Sequence, residues 1–151
     1  MDEIIALIID DDYKLNSLLK EYFKKNSIEL LTCENPIKGL EIVEREKLDI
    51  IILDVMLPYI DGIRTLREIR KTSNIPIIML TAKGEVKDKI EGLSQGADDY
   101  LSKPFEPKEL IARMKSIIRR DKRVQEKKLK SNDLVLDPLS KNSKIKDKTL
   151  N

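Results

Sequence analysis

Histidine and tryptophan are absent from this chain of 151 residues, and cysteine occurs once. Without histidine, the chain cannot build an imidazole metal site, use a histidine general base or carry phosphate on a histidine. The single Cys33 excludes an internal disulfide and CxxC chemistry, and its apolar neighbours favour a small, reduced core residue. Aromatic residues make up only 4% of the chain, so we expect an aliphatic core.

Long apolar runs and nucleotide-binding motifs are also missing. No run approaches the roughly 18 apolar residues of a membrane span, and neither GxGxxG nor a P-loop is present. The chain opens with Asp2 and Glu3, unlike a signal peptide, so we expect a soluble, cytoplasmic protein without a membrane partner. Residues 1–120 hold 20 basic and 22 acidic side chains, whereas residues 121–151 hold 9 and 5. This shift indicates an acidic-leaning body and a basic tail.

Short aliphatic runs alternate with amphipathic segments through the body. The runs lie at 4–9, 28–33, 50–53, 75–80 and 100–101. The segments with helical spacing lie at 15–23, 37–43, 63–69, 86–93 and 110–118, and their predicted apolar faces include Leu18 and Ile37. Runs that are apolar on both faces are typical of parallel strands covered by helices. The order predicts an α/β fold, a doubly wound parallel sheet of five βα units with right-handed crossovers.

Polar residues follow four of the predicted strands. Asp10–Asp12 follow the first run, Asp54 follows 50–53, Thr81 follows 75–80 and Lys103 follows 100–101. Ligands bind beyond the carboxyl ends of such strands, so we expect these side chains to share one edge. Each motif alone also fits a solvated loop, a turn or a helix N-cap, but their joint occurrence favours a site.

The chemistry of this set suits phosphoryl transfer. Clustered carboxylates repel one another, and Mg²⁺ favours a few carboxylates together with waters and a phosphate. A carboxylate can attack phosphorus to form an aspartyl phosphate, while a lysine and a hydroxyl stabilise the phosphoryl oxygens. The residues therefore predict a Mg²⁺-dependent site that accepts a phosphoryl group.

Four motifs together carry a family resemblance. They are IIDDD at 8–12, LDVMLPYIDG at 53–62, MLTA at 79–82 and GADDYLSKPF at 96–105. In this order and spacing, residues 1–120 resemble a receiver domain of a bacterial two-component response regulator. The resemblance implies the flavodoxin-like or CheY-like strand order 2-1-3-4-5.

The resemblance also implies roles for the acidic residues. Asp54 would accept the phosphoryl group and contribute to the Mg²⁺ site. Asp11 would bind Mg²⁺ directly and Asp10 through water, and the backbone carbonyl of Met56 would be a further ligand. The domain would catalyse only its own phosphorylation and dephosphorylation.

The remaining roles come from the same resemblance. Thr81 would bind the phosphoryl group and move with it, and Lys103 would pair with the phosphate. The bond between Lys103 and Pro104 is expected to be cis. Tyr100 would swing inward on activation, and Asp12 is expected to cap the first helix.

Residues 97–120 resemble the OmpR/PhoB type of transcriptional regulator. In that type, charged residues of the last two helices and the last strand form a symmetric homodimer on phosphorylation. The candidate face here consists of Lys89, Asp98, Asp99, Glu109, Arg113 and Arg120. The residues alone also fit a solvated charged face, with Glu109 and Arg113 paired at i,i+4.

The tail extends the resemblance. Residues 121–130 are predicted to be a charged linker, and 131–151 resemble the opening strands, at 133–138 and 144–150, of a winged-helix domain. No recognition helix follows before Asn151, so we expect a truncated effector domain. Sequence-specific binding to promoter DNA would require the full domain, since the basic tail alone gives only weak, salt-sensitive attraction.

Three functions follow from these patterns. The first is a response regulator of a phosphorelay, whose sensor histidine kinase supplies the histidine that this chain lacks. The second is a stand-alone receiver that stores or passes a phosphoryl group without DNA output. The third is a Mg²⁺-dependent phosphatase with an aspartyl intermediate. It is disfavoured because such enzymes usually carry an acid two residues after the nucleophile, where this chain has Met56.

Overall fold

The computed structural model describes residues 3–56, 61–82 and 96–135, and the side chains of the last range through Lys127 and at Leu129. Its elements are β1 Ile4–Ile9, α1 Tyr13–Lys24, β2 Ile28–Cys33, α2 Pro36–Arg45, β3 Ile50–Asp54, α3 Gly62–Arg70, β4 Ile77–Ala82, β5 Asp99–Lys103 and α4 Pro107–Val135. The strands form one parallel sheet in the order β2-β1-β3-β4-β5, which confirms the predicted fold. The helix predicted at 86–93, and with it Lys89, lies outside the described residues.

The sheet separates two apolar layers. Alternate residues of β1 face opposite sides, so Ala6 and Ile8 join one cluster while Leu7 and Ile9 join the other. The first cluster includes apolar residues of α1 and α4, and the second includes those of α2 and α3. Both faces of the central strands are therefore buried, as their continuous apolar runs predict.

Polar caps begin three of the helices. The Asp12 carboxylate accepts a hydrogen bond from the Leu15 N–H at the start of α1, which confirms the predicted cap. Asn35 caps α2 just before Pro36, and Asp61 caps α3. Because two of these helices follow β1 and β2 closely, the caps fix where the chain turns away from the sheet.

Two predicted core residues are exposed instead. Leu18 is 58% exposed and Ile37 is 53% exposed. The buried face of α1 is centred on Asn16, Leu19 and Phe23, and Leu18 lies about 200° around the helix from Asn16. Ile37 occupies the first turn of α2, whose buried residues are Pro36 and Gly39.

The last helix is longer than expected. It runs to Val135, so the residues predicted as a linker, 121–130, are helical. The strand predicted from residue 133 is wrong at residues 133–135, because a helix pairs its own backbone groups whereas a strand needs a neighbour. The rest of the predicted hairpin lies outside the described residues. Within the described part of the chain, no helix has the length and apolar character needed to cross a membrane.

Candidate functional site

Three carboxylates converge where β1 and β3 end. Asp10 and Asp11 follow β1, and Asp54 is the last residue of the neighbouring strand β3. One carboxylate oxygen from each residue lies within 4.8 Å of the others. Asp10 and Asp54 are buried and Asp11 is exposed, so the cluster opens to solvent on the Asp11 side.

Asp10 is held by hydrogen bonds on all sides. Its N–H donates to the Cys33 carbonyl over 2.9 Å, and its own carbonyl accepts from the Asn16 side-chain amide over 2.8 Å. Its carboxylate accepts from the Asp12 N–H over 2.9 Å and from Lys103 Nζ over 2.9 Å. This fully buried acid is therefore a fixed part of the site.

Lys103 supplies the positive charge between the acids. Besides Asp10, its Nζ lies 3.5 Å from the Asp54 carboxylate, and its side chain is 29% exposed. Burial disfavours the charged ammonium, but the hydrogen bond and attraction to Asp10, with those to Asp54, raise the Lys103 pKa. The ammonium therefore stays charged and remains available to a further anion. The bond from Lys103 to Pro104 is cis, as expected.

The surroundings of Asp54 destabilise its ionised form. Burial, followed by repulsion from Asp10, raises the Asp54 pKa from 3.8 to about 6. Lys103 and the hydrogen bond from the Met56 N–H, 3.1 Å long, act in the opposite direction. Near neutral pH the carboxylate is ionised yet poorly compensated, a state that favours binding of a cation or attack on an electrophile.

The other predicted residues surround this centre. Thr81 is buried and follows Leu80, the residue of β4 that is in register with Asp54. The Thr81 hydroxyl donates to the Ala82 carbonyl over 3.3 Å. Met56 is exposed beside the acids, while Tyr100 is already buried, only 5% exposed. Tyr100 is thus buried in this conformation, and its inward movement on activation stays a prediction.

A cleft of about 610 Å³ gives access to the acids. Its lining includes Asp11, Asp54 and Lys103, together with apolar side chains of α1 and of the segment after β5, among them Leu15 and Phe105. A charged group can therefore reach the acids while the rest of the molecule that bears it contacts the apolar side chains of the cleft.

Comparison with known proteins identifies the family of this fold. The family model described as the response regulator receiver domain matches residues 6–115. The chain belongs to the response regulator receiver family. Its receiver domain thus carries the expected order of acids, hydroxyl and lysine at the strand ends.

Individual relatives agree with this family. A protein of Haemophilus influenzae described as a homologue of the transcriptional regulatory protein CpxR is 46% identical over 114 residues, covering 76% of this chain and 50% of the relative. The regulatory protein VanRc of Enterococcus gallinarum is 43% identical over 117 residues, covering 78% and 51%. The solved receiver domain of the Francisella response regulator 1452 is 38% identical, with a TM-score of 0.74 over 79% of this chain and 99% of that chain. The chain spans about half the length of the curated relatives it matches.

The acidic cluster of the receiver domain fits Mg²⁺. Asp10, Asp11 and Asp54 bring three formal negative charges, and Lys103 contributes one positive charge. The donors are all carboxylate oxygens, which suit a hard divalent cation, and the chain has no histidine for a softer one. Receiver domains bind Mg²⁺ through such a cluster, and Asp10, Asp11, Asp54 and the Met56 carbonyl are the groups that would hold it here.

The charged residues at the C-terminal side of the receiver domain form two internal networks. Asp99 accepts from Arg113 over 2.9 Å, and Arg113 also pairs with Glu109 over 3.2 Å. The hydrogen bond that Arg113 donates to Asp99 is the largest of the effects that raise the Arg113 pKa. Asp98 instead accepts from Arg70 and from the Ile77 N–H, which ties it to the start of β4. Arg120 is exposed, and Lys89 lies outside the described residues.

One residue of the receiver site was missed from the sequence. Asn16 lies on the buried face of α1, and its amide binds the Asp10 carbonyl. A polar side chain in line with Leu19 and Phe23 was the signal for it, since a buried amide normally has a partner nearby.

Proposed function

We propose that Asp54 accepts a phosphoryl group from the phosphohistidine of a cytoplasmic sensor histidine kinase. The carboxylate oxygen attacks phosphorus, the bond between phosphorus and the imidazole nitrogen breaks, and the histidine leaves with the bonding electrons. The product is an aspartyl phosphate. The domain catalyses only this transfer and the later hydrolysis of its own acyl phosphate.

The observation that carries the proposal is the position of Lys103 between two buried acids. Its ammonium contacts Asp10 and lies near Asp54. It can therefore pair with the phosphoryl oxygens while the phosphoryl group is transferred to Asp54. Phosphoryl transfer depends mainly on positioning and charge stabilisation, and a fixed ammonium beside the acceptor provides both. A bound Mg²⁺ would supply further neutralisation of the phosphoryl oxygens.

The output of the reaction is a change of assembly. Thr81 would turn toward the phosphoryl group, with Tyr100 held inward, and the surface with Asp98, Asp99 and Arg113 would pair with a second copy. Such a switch needs only a local charge change that biases two conformations. The relatives named as transcriptional regulators support promoter DNA as the target of a full-length protein.

Phosphorylation is tested on the intact chain with acetyl phosphate and Mg²⁺. We expect the mass to rise by one phosphoryl group, and Asp54→Asn to remain unmodified. Equal modification of Asp54→Asn would exclude Asp54 as the acceptor.

Assembly is tested with beryllofluoride, which stands in for the labile phosphoryl group. With Mg²⁺ present, light scattering should show a shift from monomer toward dimer, and added salt should reduce it because exposed ion pairs are screened. Arg113→Glu should block the dimer while leaving Asp54 phosphorylation intact. A chain that stays monomeric at high micromolar concentration contradicts the dimer switch and favours a stand-alone receiver.

A further inference from the structure

Asn16 is a buried amide that the proposed chemistry does not use. Only 4% of its surface is exposed, and its Nδ2 donates to the Asp10 backbone carbonyl over 2.8 Å in a buried hydrogen bond. Its Oδ1 is also buried and has no hydrogen-bond partner within the described residues. The side chain is therefore placed for one interaction, the one that reaches residues 10–12, the acidic loop.

The bonded carbonyl belongs to the peptide that joins Asp10 to Asp11. A peptide unit is planar, so fixing its carbonyl also fixes the N–H and the Cα of the next residue. Asp10 is additionally held through its N–H and its carboxylate. The Asp11 carboxylate has no hydrogen bond or ion pair within the described part of the chain, so its direction depends on its backbone.

We propose that Asn16 is a positioning residue for Asp11, holding the peptide between the two acids so that both carboxylates face one cation. This inference rests on the proposed function, because it concerns the Mg²⁺ site of that reaction. Asn16 touches neither the phosphoryl group nor the ion, and it acts through the backbone. Partners of this kind, one step behind the ligands, typically change metal affinity by about 10- to 100-fold.

The effect should be separable from stability. Removing the Asn16 side chain leaves the Asp10 carbonyl without its donor, but it also removes a buried acceptor that has no partner. Because one unsatisfied buried group replaces another, the protein should remain folded while the acidic loop loses its fixed geometry. Asn16→Leu keeps the branched shape of the side chain without its polar atoms, and Asn16→Ala removes it.

The chain offers a matched control just beyond the far end of α1. The Asn26 side-chain amide donates to the Tyr22 backbone carbonyl over 3.0 Å, at the end of α1 away from the acids. Asn26→Ala therefore removes the same kind of bond without touching the acidic loop. Mg²⁺ affinity is measured by calorimetry on the full chain, and unfolding is measured for every variant.

We expect Mg²⁺ affinity to fall about 10- to 100-fold in Asn16→Leu and Asn16→Ala and to be unchanged in Asn26→Ala. Wild-type affinity in the Asn16 variants overturns the inference, as does an equal loss in Asn26→Ala. The proposed function fails separately, if the wild-type chain itself neither binds Mg²⁺ nor takes a phosphoryl group at Asp54.

A measurement on the wild-type chain keeps the test valid if both Asn16 variants unfold. In a nuclear magnetic resonance titration, the Asn16 side-chain amide signal should shift with Mg²⁺ at the same midpoint as the Asp11 backbone amide. An Asn16 signal that does not respond, while the Asp11 signal does, overturns the inference.

Discussion

Replacing Asp54 by asparagine should stabilise the folded chain in the absence of divalent cations. The pKa of Asp54 lies about two units above its ordinary value of 3.8, mainly because of burial and the neighbouring Asp10. Each unit corresponds to about 1.4 kcal/mol, so the ionised group costs the folded state about 3 kcal/mol at pH 7.5. Asparagine keeps the shape and can still accept from the Met56 N–H.

The sign of the pH dependence follows from the raised pKa. Between pH 3.8 and about 6, Asp54 is protonated to a greater extent in the folded chain than in the unfolded chain. Asp54 therefore lowers the free energy of unfolding more and more as pH rises through this window. The advantage of Asp54→Asn should therefore shrink by about 2 kcal/mol between pH 7.5 and pH 4.5. Mg²⁺ should also reduce it, because the ion binds the folded wild-type chain.

The assay is urea unfolding followed by circular dichroism, in EDTA and then in Mg²⁺, since the chain has no tryptophan for fluorescence. Glu41→Gln, an exposed carboxylate on α2, is the control and should change stability by less than about 0.5 kcal/mol. If wild type is as stable as Asp54→Asn at pH 7.5 in EDTA, ionised Asp54 does not destabilise the folded chain and the reasoning is wrong.

Three further outcomes are expected. Asp11→Ala should weaken Mg²⁺ binding in calorimetry more than Asp10→Ala, since of these two acids only Asp11 is predicted to touch the ion directly, and equal losses would contradict a water-mediated role for Asp10. Asp12→Ala should cost about 1 kcal/mol in urea unfolding by removing the cap of α1, and an unchanged midpoint would contradict the capping bond. Gly62→Ala should lower the unfolding midpoint strongly, because the added Cβ would collide with the Asp54 backbone carbonyl, and a neutral result would show that this contact can relax.

Much of the fold follows from local pattern. The runs at 4–9 and 28–33 match β1 and β2 at both ends because their apolar character stops where the strands stop. The run at 75–80 starts two residues early, since Pro76 lacks an N–H for the ladder and β4 begins at Ile77. β5 was predicted as two residues but has five, because it lies at the sheet edge, where polar Ser102 is exposed.

The acidic cluster was predictable because parallel strands end at one edge. The residue that supports the cluster from α1 was not predictable in this way. Asn16 is polar, so a search for apolar residues misses it, although it shares a buried face with Leu19. Asp98 was predicted on a dimer face, yet it also bonds to Arg70 and the Ile77 N–H, contacts that depend on three-dimensional packing. The sequence shows which residues are charged, but not which of them already form ion pairs or hydrogen bonds within the folded chain.

The pairing of Lys103 with Asp10 spans 93 positions of the chain, and its pairing with Asp54 spans 49. These contacts form only when β5 has joined β4 at the end of the sheet. A growing chain on the ribosome, lengthening by about 5–20 residues per second, holds both acids long before it holds the lysine. The lysine that completes the site is therefore made well after both acids, and the proposed phosphorylation of Asp54 would require a chain in which β5 has already joined the sheet.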